Sequence, residues 1–192
     1  MKTMQVEFHK TGERRYAVKI LRGDLPDLEM NPAPGFDPLL PHDLMHFIVE
    51  LELGLQNAIF GQVATGRNAG NFISRPSESL NTREDSRFRR KEAKRRKKIL
   101  KAGMDEYLQS ERATVVCLYD WLSHSTDEKL RARAEEMKIS FNSILSQMSE
   151  TERKMLNKEK LAEIRTRMDK LSKRWSLLQV NQSMRLEWSL RL

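Results

Sequence analysis

The sequence predicts an α+β domain: a small antiparallel three-stranded sheet formed by both termini, packed against a mostly helical remainder with an antiparallel helical hairpin. Two observations carry this. Apolar residues alternate with polar ones near each end of the chain, whereas the long middle repeats apolar residues at three- and four-residue spacing. A third concerns composition: only 39% of the 192 residues are apolar while 32% are charged, which favours solvent-washed helices around a modest core. The length fits a single domain spanning 1–192.

The first strands are read from Val6 and Phe8, a turn over Lys10-Thr11-Gly12-Glu13, and then Tyr16, Val18 and Ile20. Met184, Leu186, Trp188 and Leu190 repeat the alternation. Two strands alone are marginal in water and a third with the same apolar face is a large gain, so the C-terminal strand is placed beside the N-terminal hairpin. Residues 23–41 read as irregular, with six prolines and glycines over Pro26 to Pro41. Pro41 suits the first turn of a helix that carries Leu44, Phe47, Ile48, Leu51 and Leu55 on one stripe. A short helical piece follows with Ile59, Phe60 and Val63, and 66–82 reads as a flexible loop.

Three further helices are expected. One carries Met104, Leu108, Val115, Leu118 and Leu122. Ser125 and Glu128 have the spacing of a capping box and open a helix with Leu130, Ala134, Met137, Phe141, Ile144 and Met148. Ser149 and Glu152 repeat that spacing before Leu161, Ile164, Met168, Leu171, Trp175 and Leu178. The last two stripes are expected to face each other as the hairpin, with the 104–124 helix as a third member.

Charge is distributed unevenly. The chain has 35 Lys+Arg and 27 Asp+Glu, a net charge of +8. Residues 83–101 hold eleven basic and three acidic residues, so this basic helical segment accounts for the whole surplus. Arg87, Arg89, Arg90, Lys91, Lys94, Arg95, Arg96, Lys97, Lys98 and Lys101 are candidate nucleic-acid-binding residues. Repulsion between like charges three and four apart opposes a helix here unless an anionic partner relieves it. The leading expectation is a non-enzymatic interaction module binding a nucleic-acid backbone through this segment, with an acidic protein as the other possible partner. Phe88 is the one aromatic among these charges, so little base stacking is expected. A solvated basic arm without a partner is the plainer alternative.

The other candidate lies in Pro41-His42-Asp43-Leu44-Met45-His46-Phe47-Ile48-Val49-Glu50. His42 and His46 project from successive turns of one helix face, the spacing by which two neutral imidazoles chelate a divalent metal such as zinc. Glu50 continues the column but lies about 12 Å from His42 along the axis, at 1.5 Å per residue. It can orient His46 or a bound water, and with Asp43 it is assigned to the surroundings of the metal. A third ligand has to come from another segment. In the alternative, both histidines are structural and Asp43 answers the helix dipole. Whether the chain is an enzyme is left open by these residues.

The His-Asp-x-x-His stretch resembles the signature that a ubiquinone-biosynthesis family places on a zinc-binding helix. That family adds a glutamate twelve positions after the second histidine; here the position is Ala58, so the resemblance supplies no third ligand. The Leu-Pro-His-Asp-Leu helix, together with a Trp-containing helix and the Leu-Glu-Trp strand near the C-terminus, is similar to a family of small bacterial proteins of unassigned function.

Other classes are disfavoured. One cysteine, Cys117, permits no intramolecular disulfide and fits a reducing compartment. No phosphate-loop or nucleophile-elbow pattern occurs. No apolar run approaches the length of a membrane helix, and the first residues have no apolar signal region, so a cytoplasmic protein is expected.

Overall fold

A computed structural model describes residues 4–67, 69–74 and 103–189. The element order is β1 (Met4–Gly12), β2 (Arg15–Arg22), β3 (Leu25–Met30), α1 (His42–Leu53), α2 (Ile59–Ala64), β4 (Ile73–Ser74), α3 (Met104–Ser123), α4 (Glu128–Gln147), α5 (Glu150–Met155), α6 (Lys158–Ser176) and β5 (Ser183–Trp188). The fold is α+β. All strand pairs are antiparallel, in the order β4-β3-β2-β1-β5.

The termini meet as the alternation predicts. Met4 lies opposite Trp188, Val6 opposite Leu186 and Phe8 opposite Met184. Across the hairpin Val6 faces Ile20 and Phe8 faces Val18. The sheet extends further than the expected three strands, because part of the 23–41 stretch forms β3 and the two-residue β4 pairs onto it. Pro26 disguised β3 in the sequence. It lies near the start of the strand, outside the paired run Leu28–Met30, where its missing N–H removes no rung of the ladder.

One sheet face is dry: Val6, Phe8, Val18, Ile20 and Leu28 are fully buried. Its cover is α1. Phe47 sits 6.0 Å from Phe8, 5.5 Å from Trp188 and 5.4 Å from Phe60, all edge-on, so one aromatic cluster joins α1, α2 and both terminal strands. Seven consecutive residues of α1, Leu44 to Glu50, are buried. A helix buried all round is an interior element, and α3 and α6 cover its far side.

The helical hairpin pairs α3 with α4, whereas α6 lies against α1 and α3. This differs from the expected partnership of the last two stripes. Tyr119 of α3 stacks on Phe141 of α4 with centroids 4.0 Å apart, while Trp121 Nε1 donates to Asp169 of α6 at 2.8 Å. The expected final helix is broken in two: α5 has the full Ser149/Glu152 capping box, and Asn157 caps α6 anew. At α4 the cap is Asp127, one residue before Glu128, and Ser125 instead accepts the Asp127 N–H at 3.1 Å.

The basic segment 83–101, with every nucleic-acid candidate from Arg87 to Lys101, lies outside the described residues, as does most of the 66–82 loop. Among the described residues no helix is long and apolar enough to cross a membrane.

Candidate metal centre

The start of α1 is held by the loop before it and by Tyr16. Gly54 closes the far end of the helix in the left-handed conformation, while at the near end the Gly35 carbonyl accepts the His42 N–H at 3.3 Å. Gly35 has φ +76°, and a Cβ there would lie 2.8 Å from the His42 Cβ, so only glycine lets the loop approach this closely. Tyr16 reaches from β2 with its hydroxyl 2.7 Å from the Pro34 carbonyl and 2.5 Å from Asp43 Oδ2. Burial raises both the phenol and the Asp43 carboxyl above their ordinary ranges. The phenol O–H donates to these acceptors, and its oxygen in turn accepts the Asp43 N–H at 3.3 Å.

His42 and His46 stand side by side on α1, ring centroids 4.6 Å apart. His46 is only 5% exposed. Burial, then the neighbouring His42, pushes its imidazole down to about 3, so it is neutral at physiological pH. Its Nδ1 lies 2.9 Å from Ser110 Oγ and 3.3 Å from Thr114 Oγ1, both on α3. The Ser110 hydroxyl donates to Glu50 Oε1 at 3.1 Å. Glu50 is fully buried and accepts the Phe60 N–H at 2.7 Å, with the N–H groups of Ile59 and Gly61 also turned to it. Ala58, the N-cap residue of α2, has no side-chain acceptor, and Glu50 takes that role from another helix. Burial drives the Glu50 carboxyl up to about 8 against the pull of these donors.

The other ring nitrogen of His46 is different. Nε2 is buried with no hydrogen-bond partner and lies 3.7 Å from Glu111 Oε2. The neutral ring makes this no ion pair, and the distance is too long for a hydrogen bond. Buried polar atoms in folded proteins are nearly always partnered, so this gap needs an occupant or an explanation. His42, His46 and Glu111 each turn one ligand atom into it, all within 4.8 Å of one another, and this cluster could hold a metal ion. Tyr107, one turn before Glu111, hydrogen-bonds that carboxylate; burial and this contact push the phenol up to about 12.

The two predicted ligands, His42 and His46, therefore come together with a third that the sequence reading missed. Asp43 is turned to Tyr16, whereas Glu50 reaches His46 through Ser110. Glu111 is 65 residues from His46, inside a helix whose stripe looked sufficient as core. The available signal was the polar run Tyr107, Ser110, Glu111 and Thr114 along one face of that helix. A separate cavity of about 260 Å³ opens at the other end of α1, where Lys160 and Arg167 both already pair with Glu52 at 3.5 and 2.9 Å.

No family model, curated protein or solved structure matches the chain. The functional reading rests on the geometry of the site.

Proposed function

We propose that this chain is a metal-dependent or small-molecule-binding protein whose centre is a divalent transition ion, best fitted by zinc, held by His42, His46 and Glu111. The observation that carries the reading is the buried, unpartnered Nε2 of His46 facing a carboxylate oxygen 3.7 Å away. Two imidazoles and one carboxylate are the donor set of zinc sites that keep a fourth position open. Ligand atoms on a tetrahedral zinc ion lie about 3.3–3.5 Å apart, so the spread of 4.8 Å closes by up to about 1.4 Å when the ion binds. Glu111 has the freedom for it, its side chain being 40% exposed. The same exposure leaves the fourth position open to water or to a small oxygen- or nitrogen-donor molecule. An ion there would supply Lewis-acid polarisation of whatever occupies that position.

Metal analysis of the purified protein tests this. Near-stoichiometric zinc or a neighbouring transition metal is expected, lost in His46→Ala and in Glu111→Ala. Metal-free protein that takes up no zinc and is equally stable with and without it contradicts the reading.

A second reading rests on the charge surplus in 83–101. It assigns these residues to a nucleic-acid backbone, with affinity falling steeply as salt rises, by about 0.9 in log–log slope per neutralised duplex phosphate. Reversal of Arg95, Arg96, Lys97 and Lys98 to Glu should abolish that binding; unchanged binding by this variant, or none by wild type at low salt, removes the reading.

A further inference from the structure

We propose that Ser110 and Glu50 are positioning residues of the metal centre, holding the His46 ring through the chain Nδ1–Ser110–Glu50 so that an unprotonated Nε2 faces the ion. The proposal rests on the metal reading above and deepens it.

An imidazole offers two nitrogens, and which one meets a metal is set by the hydrogen bond that the other makes. Here that bond is built from two helices. His46 Nδ1 lies 2.9 Å from Ser110 Oγ, and Ser110 Oγ lies 3.1 Å from Glu50 Oε1. The second carboxylate oxygen is fixed in turn by the Phe60 N–H at 2.7 Å. With an ion at the triad, its positive charge draws Glu50 from the protonated form that burial favours to the ionised one, which only accepts, so the single Ser110 proton then goes to it. The Ser110 oxygen then has lone pairs free for the Nδ1–H of His46. That leaves Nε2 bare, on the side where His42 and Glu111 lie. An ion at the triad adds the positive charge that favours the ionised carboxylate, so ion and chain support one another.

Capping α2 would account for Glu50 Oε2 and the backbone donors of residues 59–61. It does not account for the other oxygen being spent on Ser110, nor for Ser110 being turned to His46. Ser110 and Glu50 are 1% and 0% exposed, so water does not compete for either link. Thr114 Oγ1, at 3.3 Å from the same Nδ1, is the longer alternative partner.

The test is zinc titration of the metal-stripped full chain against a chromophoric chelator, with ¹⁵N spectra of the histidine rings in the zinc-loaded protein. In the wild type, His46 should show a protonated Nδ1 and a metal-bound Nε2. Ser110→Ala should weaken zinc binding by about 10–100-fold and broaden or change that ring signature, with the circular dichroism of the fold retained. Wild type that binds zinc while Ser110→Ala binds it equally well with the same ring pattern overturns the positioning role and leaves the metal reading standing. Zinc-loaded wild type whose His46 carries its proton on Nε2 overturns the role without any variant. Wild type that binds no zinc overturns both.

Discussion

A neutral imidazole kept in a dry helix interface makes the fold sensitive to acid. His46 in the unfolded chain takes up a proton near its ordinary value of about 6.5, while in the fold it resists until about 3. The folded value is the lower one, so the contribution of His46 to stability is full above 6.5 and declines as pH falls from there toward 3. The whole shift is worth a few kcal/mol, at about 1.4 kcal/mol per pH unit. Glu50, held up at about 8, shifts stability the opposite way over the same range, so the loss is read as a difference: in urea unfolding of the metal-free protein, wild type should lose about 1–2 kcal/mol relative to His46→Gln between pH 7 and pH 5. Gly35 gives a second prediction at this scale. Alanine there must adopt φ +76° and meet the His42 Cβ at 2.8 Å. Gly35→Ala should cost about 1–3 kcal/mol and weaken zinc binding, measured by denaturation and by titration of the same sample. Residue-level legibility followed sequence distance. His42 and His46 were visible because one helical turn relates them. Glu111 and Ser110 were not, since only the packing of α3 on α1 brings them near, and the apolar stripe of α1 gave no sign that its other face was also covered.

Among the elements, β5 ties the two ends of the chain into one sheet. Trp188 is 2% exposed and stacks on Phe60 at 6.1 Å, and Met184 is buried on the same face of the strand. Removing a buried tryptophan alone costs about 3–5 kcal/mol, a large part of the 5–15 kcal/mol that holds an ordinary domain folded. A chain ending at Asn181 should therefore lose cooperative thermal unfolding by calorimetry; a sharp transition at the wild-type temperature would show β5 to be dispensable. The strand was legible because strict alternation places every second residue on one face. Caps were legible where they are local, as at Ser149 and Glu152. The α3–α4 pairing was not legible, since three amphipathic stripes of similar width fit more than one arrangement and the apolar positions alone do not rank them. Nor was the break at Asn157, where one helix ends and its successor is capped anew while apolar residues continue on both sides.

At the scale of the molecule, α1 is the centre of the architecture: the sheet lies on one side, α3 and α6 on the other. An ion bound by His42, His46 and Glu111 would bridge α1 and α3, two elements far apart in sequence, and so would stabilise the whole fold. At a zinc concentration 100 times its dissociation constant the gain is about 2.7 kcal/mol, which for a chain of this size raises the melting temperature by about 5–10 °C. Calorimetry with and without zinc should show this rise in wild type and not in His46→Ala.

Everything proposed for this site requires an ion between His46 Nε2 and Glu111. Its most direct test is a crystal of the zinc-soaked protein measured on both sides of the zinc absorption edge. One strong anomalous peak per chain is expected, within about 2.0–2.2 Å of a ring nitrogen of His42, of His46 Nε2 and of a Glu111 oxygen. No peak at that position, or a peak held by other residues while His46 Nε2 stays unpartnered, would contradict it.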